Sequence, residues 1–332
     1  MQKHNPSGTQ SPMLAWTRPV PLSSCLRGRL AHLGVLVLVG ALLLLLVGCR
    51  TVSDPPSDGT GQDDVPAASD TDARAEQISV RAAPTQPPDA DEHAGVGRHR
   101  LDAGRDVFDL TNEVRTDRGR ATLTPDSTLA QSACRHNQDM LVHDYLGHRD
   151  ASGRAPGDRV AREHRRLIGT AGENVADGEP LPADASREDA AAWAGAVVKR
   201  WMNSDGHRSN LLRSQFTHLG TCVTHTASVA RATQLFATAW AYLDEPLPWT
   251  MSVGDSLAIS VTPNRAQGAP EAYAFVPPTE PLGSAFDGDD ARRAFQGTLH
   301  LPDSAGVYGS RFLFMEGEGR YVVISGPRVQ VE

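Results

Sequence analysis

Apolar positions change their rhythm several times along the chain. Leu33 to Val47 is an almost unbroken run of Leu, Val, Gly and Ala, and between Arg50 and about Arg100 large apolar residues nearly vanish. From Leu101 a helical spacing begins, with Val107, Leu110 and Val114 on one face, and it stops at Arg118-Gly119-Arg120 as helices commonly do. Thr124-Pro125-Asp126-Ser127 opens a second predicted helix whose stripe holds Leu129, Ala133, Asn137 and Met140. Tyr145 to Asn174 carries little periodicity and reads as a long loop that is functional or else contains short helices. Trp193, Val197 and Trp201 mark a third helix from about Asp189 to Asn203, ended by Ser204-Asp205-Gly206, so that His207 is expected in a turn. Two strand-like runs follow, Leu219 to Thr226 and Thr233 to Tyr242, the second apolar enough to be covered on both faces.

Helices followed by strands predict an α+β domain over 101–243, closed by Asp244-Glu245-Pro246-Leu247-Pro248. Beyond it, short runs at strand spacing are separated by Gly and Pro: Trp249 to Val253, Leu257 to Val261, Ala272 to Val276, Ala294 to Leu301, Val307 to Met315, Tyr321 to Ile324 and Arg328 to Val331. They predict a small all-β domain over 244–332, an immunoglobulin-like sandwich, with a hairpin turn at Glu316-Gly317-Glu318-Gly319. Asp287-Gly288-Asp289-Asp290 lacks the ligand spacing of a calcium loop and reads as a solvated turn.

The N-terminal run lies behind Lys3, Arg18, Arg27 and Arg29, with no acid before it. Fifteen or so apolar residues, roughly, are short for a membrane-spanning helix and suit a signal-peptide core. Leu46-Val47-Gly48-Cys49 resembles the bacterial lipobox, which implies a lipoprotein signal peptide over 1–48, cleavage before Cys49 and acylation of that cysteine. An uncleaved signal anchor is the alternative. Either reading makes the chain exported and tethered to the bacterial cell envelope, with the membrane as its partner. Residues 49–100 are Pro, Ala, Asp, Ser and Thr with too little apolar surface to offset ordering, and read as a flexible acidic tether.

A net charge of −8 on 332 residues excludes a nucleic-acid partner, which needs a clustered basic face. The basic cluster Arg159, Arg162, His164, Arg165 and Arg166 is offset by Asp158 and Glu163 and reads as a solvated face. His136 and His143 read as surface or boundary histidines. In an exported protein Cys134 and Cys222 form a disulfide, worth about 3 to 5 kcal/mol for so long a loop. Two buried free thiols are the alternative.

Residues 105 to 242 resemble the CAP superfamily, the SCP-like extracellular domain shared by cysteine-rich secretory proteins, antigen 5 and plant pathogenesis-related proteins, in its bacterial branch. The residues that carry the resemblance are Asn112-Glu113-Val114-Arg115, Leu129 to Met140, Tyr145-Leu146-Gly147-His148, Gly172-Glu173-Asn174-Val175-Ala176, Trp201 with Gly206-His207-Arg208-Ser209-Asn210-Leu211-Leu212, and Phe216 to Gly220. The resemblance implies an α-β-α sandwich with a central antiparallel sheet and a cleft lined by His148, His207 and Glu173. Many eukaryotic members add a second glutamate where this chain has Asn203 and Ser204.

Two imidazoles and a carboxylate compose a site for a divalent metal such as zinc, and also a hydrolytic zinc composition in which Glu173 would be the catalytic group. No His-Glu-x-x-His and no Gly-x-Ser-x-Gly is present. Hydrogen bonds among the three that merely tie the loop down are the bland reading. The leading expectation is a non-enzymatic, membrane-tethered envelope protein whose cleft binds a metal, a lipid or an envelope peptide. A metal-dependent peptidase-like hydrolase is the second, and a structural CAP domain with binding carried by the C-terminal β-domain the third.

Overall fold

A computed structural model describes residues 95–332 except 183, 267, 282–285, 287–292, 318 and 319. The expected signal peptide, most of the tether, the lipidation at Cys49 and the Asp287 turn lie outside the described residues.

In chain order the elements are β1 (Arg98–His99), α1 (Leu101–Thr116), β2 (Thr124–Pro125), α2 (Ser127–Val142), α3 (Pro156–Glu163), β3 (Leu167–Gly178), α4 (Arg187–Asn203), α5 (Asp205–Leu212), β4 (His218–His225) and β5 (Ala230–Leu243). There follow β6 (Thr250–Met251), β7 (Ser256–Ala258), β8 (Val261–Pro263), β9 (Ala272–Val276), β10 (Arg293–Ala294), β11 (Thr298–His300), β12 (Gly306–Met315) and β13 (Tyr321–Val331).

The first sheet runs β1-β4-β5-β3, with β2 added on β4 and β8 on β5. Its long pairings are antiparallel, Gly178 opposite Ala230 and Leu167 opposite Tyr242 at the ends of β3 and β5. Alternation along β5 decides what packs on each face. Ala232 and Phe236 join Val107 of α1 and Val197 and Trp201 of α4 in one cluster. Leu235, Ala237 and Ala239 join Leu129 and Ala133 of α2 and Val160 of α3 in another. The result is the expected α+β architecture, an α-β-α sandwich with both sheet faces covered.

Helix α2 lies so close on β4 that a Cβ at Gly220 would stand 2.1 Å from the Ala130 nitrogen. Across the same contact Cys134 and Cys222 are joined as a disulfide, which decides between the two readings of those cysteines. Asp126 caps α2 by accepting from the Leu129 N–H at 2.9 Å.

The C-terminal part is β-rich, as expected. A five-stranded sheet, β10-β9-β12-β13-β6, faces the ribbon β11-β7 across a core that includes Leu257, Tyr273, Leu299, Phe312 and Ile324. Tyr321–Val331 is one continuous strand although Ser325-Gly326-Pro327 divides it in sequence. Ile168, Trp240, Ala241 and Leu243 of the first sheet belong to that same core.

Tyr145 to Asn174 contains the short helix α3, one of the two expected alternatives, and also most of the edge strand β3, which its sequence does not suggest. Its glycines hide the strand. A Cβ at Gly172 would lie 2.5 Å from the Phe216 ring, so close packing there requires glycine. His207 likewise sits in the first turn of α5 rather than in a turn, since only Ser204 interrupts the helices.

Candidate functional site

Strand β3 delivers Glu173 opposite Leu235, which buries the carboxylate with its side chain 1% exposed. A lone buried carboxylate costs several kcal/mol, so it must be matched. Arg159 of α3 supplies the match: its Nη2 donates to Glu173 Oε2, and its Nη1 donates to the His148 carbonyl at 2.8 Å. Glu173 Oε1 is 2.9 Å from His148 Nδ1. One carboxylate therefore anchors an arginine and a histidine at once.

The His148 side chain is 52% exposed, with Nδ1 held inward and Nε2 on the open side of the ring. The bond to Glu173 raises its pKa above the usual histidine value, against partial burial and the Arg159 charge. His207 shifts the other way. Burial lowers its pKa first, and the positive charges of His148 and Arg200 lower it further.

Polar side chains fix the position of α5. Thr111 Oγ1 accepts from Gln234 Nε2 at 2.6 Å, and Gln234 Oε1 accepts from Asn174 Nδ2 at 3.1 Å. Asn210 Nδ2 donates to Asn174 Oδ1 and to the Glu173 carbonyl, both at 3.0 Å, while Asn174 Nδ2 also reaches the His207 carbonyl at 3.2 Å. Trp201 donates to the Val175 carbonyl at 3.1 Å. The backbone that carries His207 is thus tied to the strand that carries Glu173.

His148 and Glu173 meet directly, and His207 stands within reach of the His148 charge. Among the described residues, the one group of three His, Cys, Asp or Glu ligand atoms lying within 4.8 Å of one another is His99, Cys134 and Cys222, and there the sulfurs are bonded together. With both Glu173 oxygens engaged, the chemistry of the set favours two imidazoles as direct ligands and Glu173 behind His148. Asn203, where eukaryotic relatives place a second glutamate, is exposed at the end of α4.

Two participants were not legible in the sequence. Arg159 read as part of a solvated face, but it is buried, as are His164 and Arg165, while Arg166 of the same cluster is exposed. His136 read as a surface or boundary histidine and is 1% exposed. Its Nε2 donates to the Gly147 carbonyl at 2.8 Å and lies 3.8 Å from Glu173 Oε1, while its buried Nδ1 has no partner. Burial lowers its pKa, against the neighbouring Glu173 charge. The position of His136 in the Leu129 to Met140 stripe, one residue before Asn137, was the available signal.

A covered sheet between two helix layers, with a buried glutamate bonded to His148 at its edge strand, defines a class of α-β-α sandwich domain. Residues 108–236 match the Cysteine-rich secretory protein family, and this stretch of the chain is a CAP-superfamily domain. It is similar to the uncharacterized protein YkwD of Bacillus subtilis, 36% identical over 123 residues, or 37% of this chain and 43% of that one. The uncharacterized membrane protein YlbC of the same organism is 34% identical over 120 residues, 35% of this chain and 30% of the other. An extracellular protein containing an SCP domain from Bacillus anthracis aligns at 32% identity and TM-score 0.33 over 40% of this chain and 39% of that one. The chain thus spans less than half the length of each of these relatives.

Proposed function

We propose that the chain is an exported, membrane-tethered CAP-domain protein whose cleft binds a ligand or a divalent metal without catalysing a reaction. The observation that carries this is the His148–Glu173 bond. It locks Nδ1 inward, fixes the tautomer and offers Nε2 outward from an exposed ring, which is how carboxylates prepare histidines for metals. His148 and His207 would hold a zinc ion and Glu173 would orient His148. A bound zinc would supply Lewis-acid polarisation of a ligand oxygen. Export and tethering rest on the N-terminal apolar run and on Cys49.

Titration of zinc into the full chain, beside a His148→Ala, His207→Ala double variant, tests the reading. Binding near one equivalent that the double variant loses supports a metal cleft. Equal heats in both overturn it and direct the search to lipid ligands.

A metal-dependent hydrolase of envelope peptides is the second reading, favoured by the opposed pKa directions of His148 and His207, which suit an acid and a base. In it Glu173 is a positioning residue, because its buried carboxylate is held at both oxygens. Failure of the zinc-loaded chain to cleave a broad peptide panel would sink it.

A further inference from the structure

The face of β12 and β13 that turns away from their own core meets α3 and the edge strand β3, and a crevice of about 280 Å3 remains between them. Arg311 stands in its wall, at the irregularity where β12 bulges between Gly309 and Arg311. The residue is 7% exposed. Among the described residues its hydrogen bonding is a single contact, Nη1 donating to the Ser310 carbonyl at 3.2 Å, and its buried Nε has no partner.

Other buried arginines are better matched, although Arg115 Nη2, Arg159 Nε and Arg231 Nε are also buried without a partner. Arg159 has Glu173, Arg231 has Asp177 at 3.7 Å, and Arg115 and Arg165 each donate to three backbone carbonyls. Asp158, the acid whose charge acts on Arg311, is already engaged: Oδ1 accepts from Arg328 and Oδ2 from the Ala155 N–H at 3.0 Å. One buried positive charge is left facing the crevice, and such a charge is costly until an anion meets it. Burial and Arg328 both lower the Arg311 pKa, with Asp158 opposing.

The rest of the lining says what kind of anion fits. Ser325 lies opposite Arg311 in register and, like Thr170, brings a hydroxyl to the crevice. Strand β3 pairs with β5 on one side, so the backbone of Gly169 to Ala171 borders the crevice as an open sheet edge among the described residues. Gly157, Ala161 and Gly326 make the walls narrow. The volume is below the roughly 300 to 1,000 Å3 of sites for drug-sized ligands.

We propose that this crevice binds the C-terminal end of an extended peptide of small residues, its carboxylate on Arg311 and its backbone on the open edge of β3. A guanidinium meets a carboxylate through two parallel hydrogen bonds, and strand addition supplies main-chain affinity. A monoanion balances the one unmatched charge, whereas phosphate would bring an excess. The site is separate from the histidine cleft and does not depend on metal there.

The test is titration of the full chain with acetyl-Ala-Ala as free acid, with its C-terminal amide and with inorganic phosphate, followed by heat and by melting temperature. The free acid binds near one equivalent and raises the melting temperature, and the amide binds at least tenfold more weakly. Arg311→Met abolishes the binding, yet the variant without ligand melts at or above the wild type, because an unmatched buried charge has been replaced by an apolar chain of similar length. Equal binding of acid and amide, binding of phosphate in place of peptide, no binding by the wild type, or unchanged binding by Arg311→Met each overturn the proposal. So does an Arg311→Met chain that melts far below wild type, which would mean that the charge is already compensated within the fold.

Discussion

Arg159 and Glu173 form an ion pair with side chains 4% and 1% exposed, at the point where α3 crosses the edge strand β3. The pair joins an element with no apolar periodicity to the strand whose carboxylate also holds His148. Neither partner can be removed without stranding the other.

Glu173→Gln or Arg159→Met alone should therefore lower unfolding free energy by about 3 to 5 kcal/mol, while the double substitution recovers much of that loss. Urea unfolding of the singles and the double measures it. Additive losses would mean that the two side chains are not coupled.

In an NMR titration of the histidines, His148 should titrate above the usual value and His207 below it, since Glu173 stabilises one imidazolium and burial disfavours the other. Glu173→Gln should bring His148 down. A His148 that does not respond would remove Glu173 as its orienting partner.

Reducing Cys134–Cys222, or replacing both cysteines by serine, should cost about 2 to 5 kcal/mol, because the crosslink restrains a long stretch of the unfolded chain. Melting with and without a reductant reads this out. The reduced chain keeps its helix content until it melts.

Asp102 lies in the first turn of α1, where Arg100 donates to both of its oxygens, Nη2 at 2.8 Å, and holds its carboxyl down to about 2. A depressed acid contributes stability above its unfolded value of 3.8 and loses it as pH falls towards 2. The site is partly exposed and screened, so Asp102→Asn should cost about 1 kcal/mol at neutral pH and flatten the stability profile between those values. An unchanged profile would place the acid sensitivity elsewhere.

Gly220→Ala should be among the most damaging small substitutions in the chain, since the new methyl meets helix backbone at Ala130 and Leu129 rather than a flexible side chain. A loss of about 3 kcal/mol is expected, measured by thermal unfolding.

The periodic elements were legible. Val107, Trp201 and the alternation of Leu235 with Phe236 reported which faces are covered, because an apolar residue at helical or strand spacing has few other uses. His148, Glu173 and His207 were found through resemblance, and the structure joins the first two directly. Arg159, Arg311 and β3 were hidden for a common reason. A buried charge looks like a surface charge until its partner is known, and a strand kept narrow by Gly169 and Gly172 lacks the side chains that announce strands.

Trp240 sits between the Arg265 guanidinium, 4.7 Å from its ring centre, and the Phe314 ring at 5.4 Å. Its neighbours Ile168 and Leu243 share that apolar cluster with Leu257 and Phe312, and β8 prolongs the first sheet. The residues on either side of 244 consequently behave in solution as one cooperative body. A single sigmoidal melt, with tryptophan fluorescence and backbone dichroism changing together, is its calorimetric and optical signature.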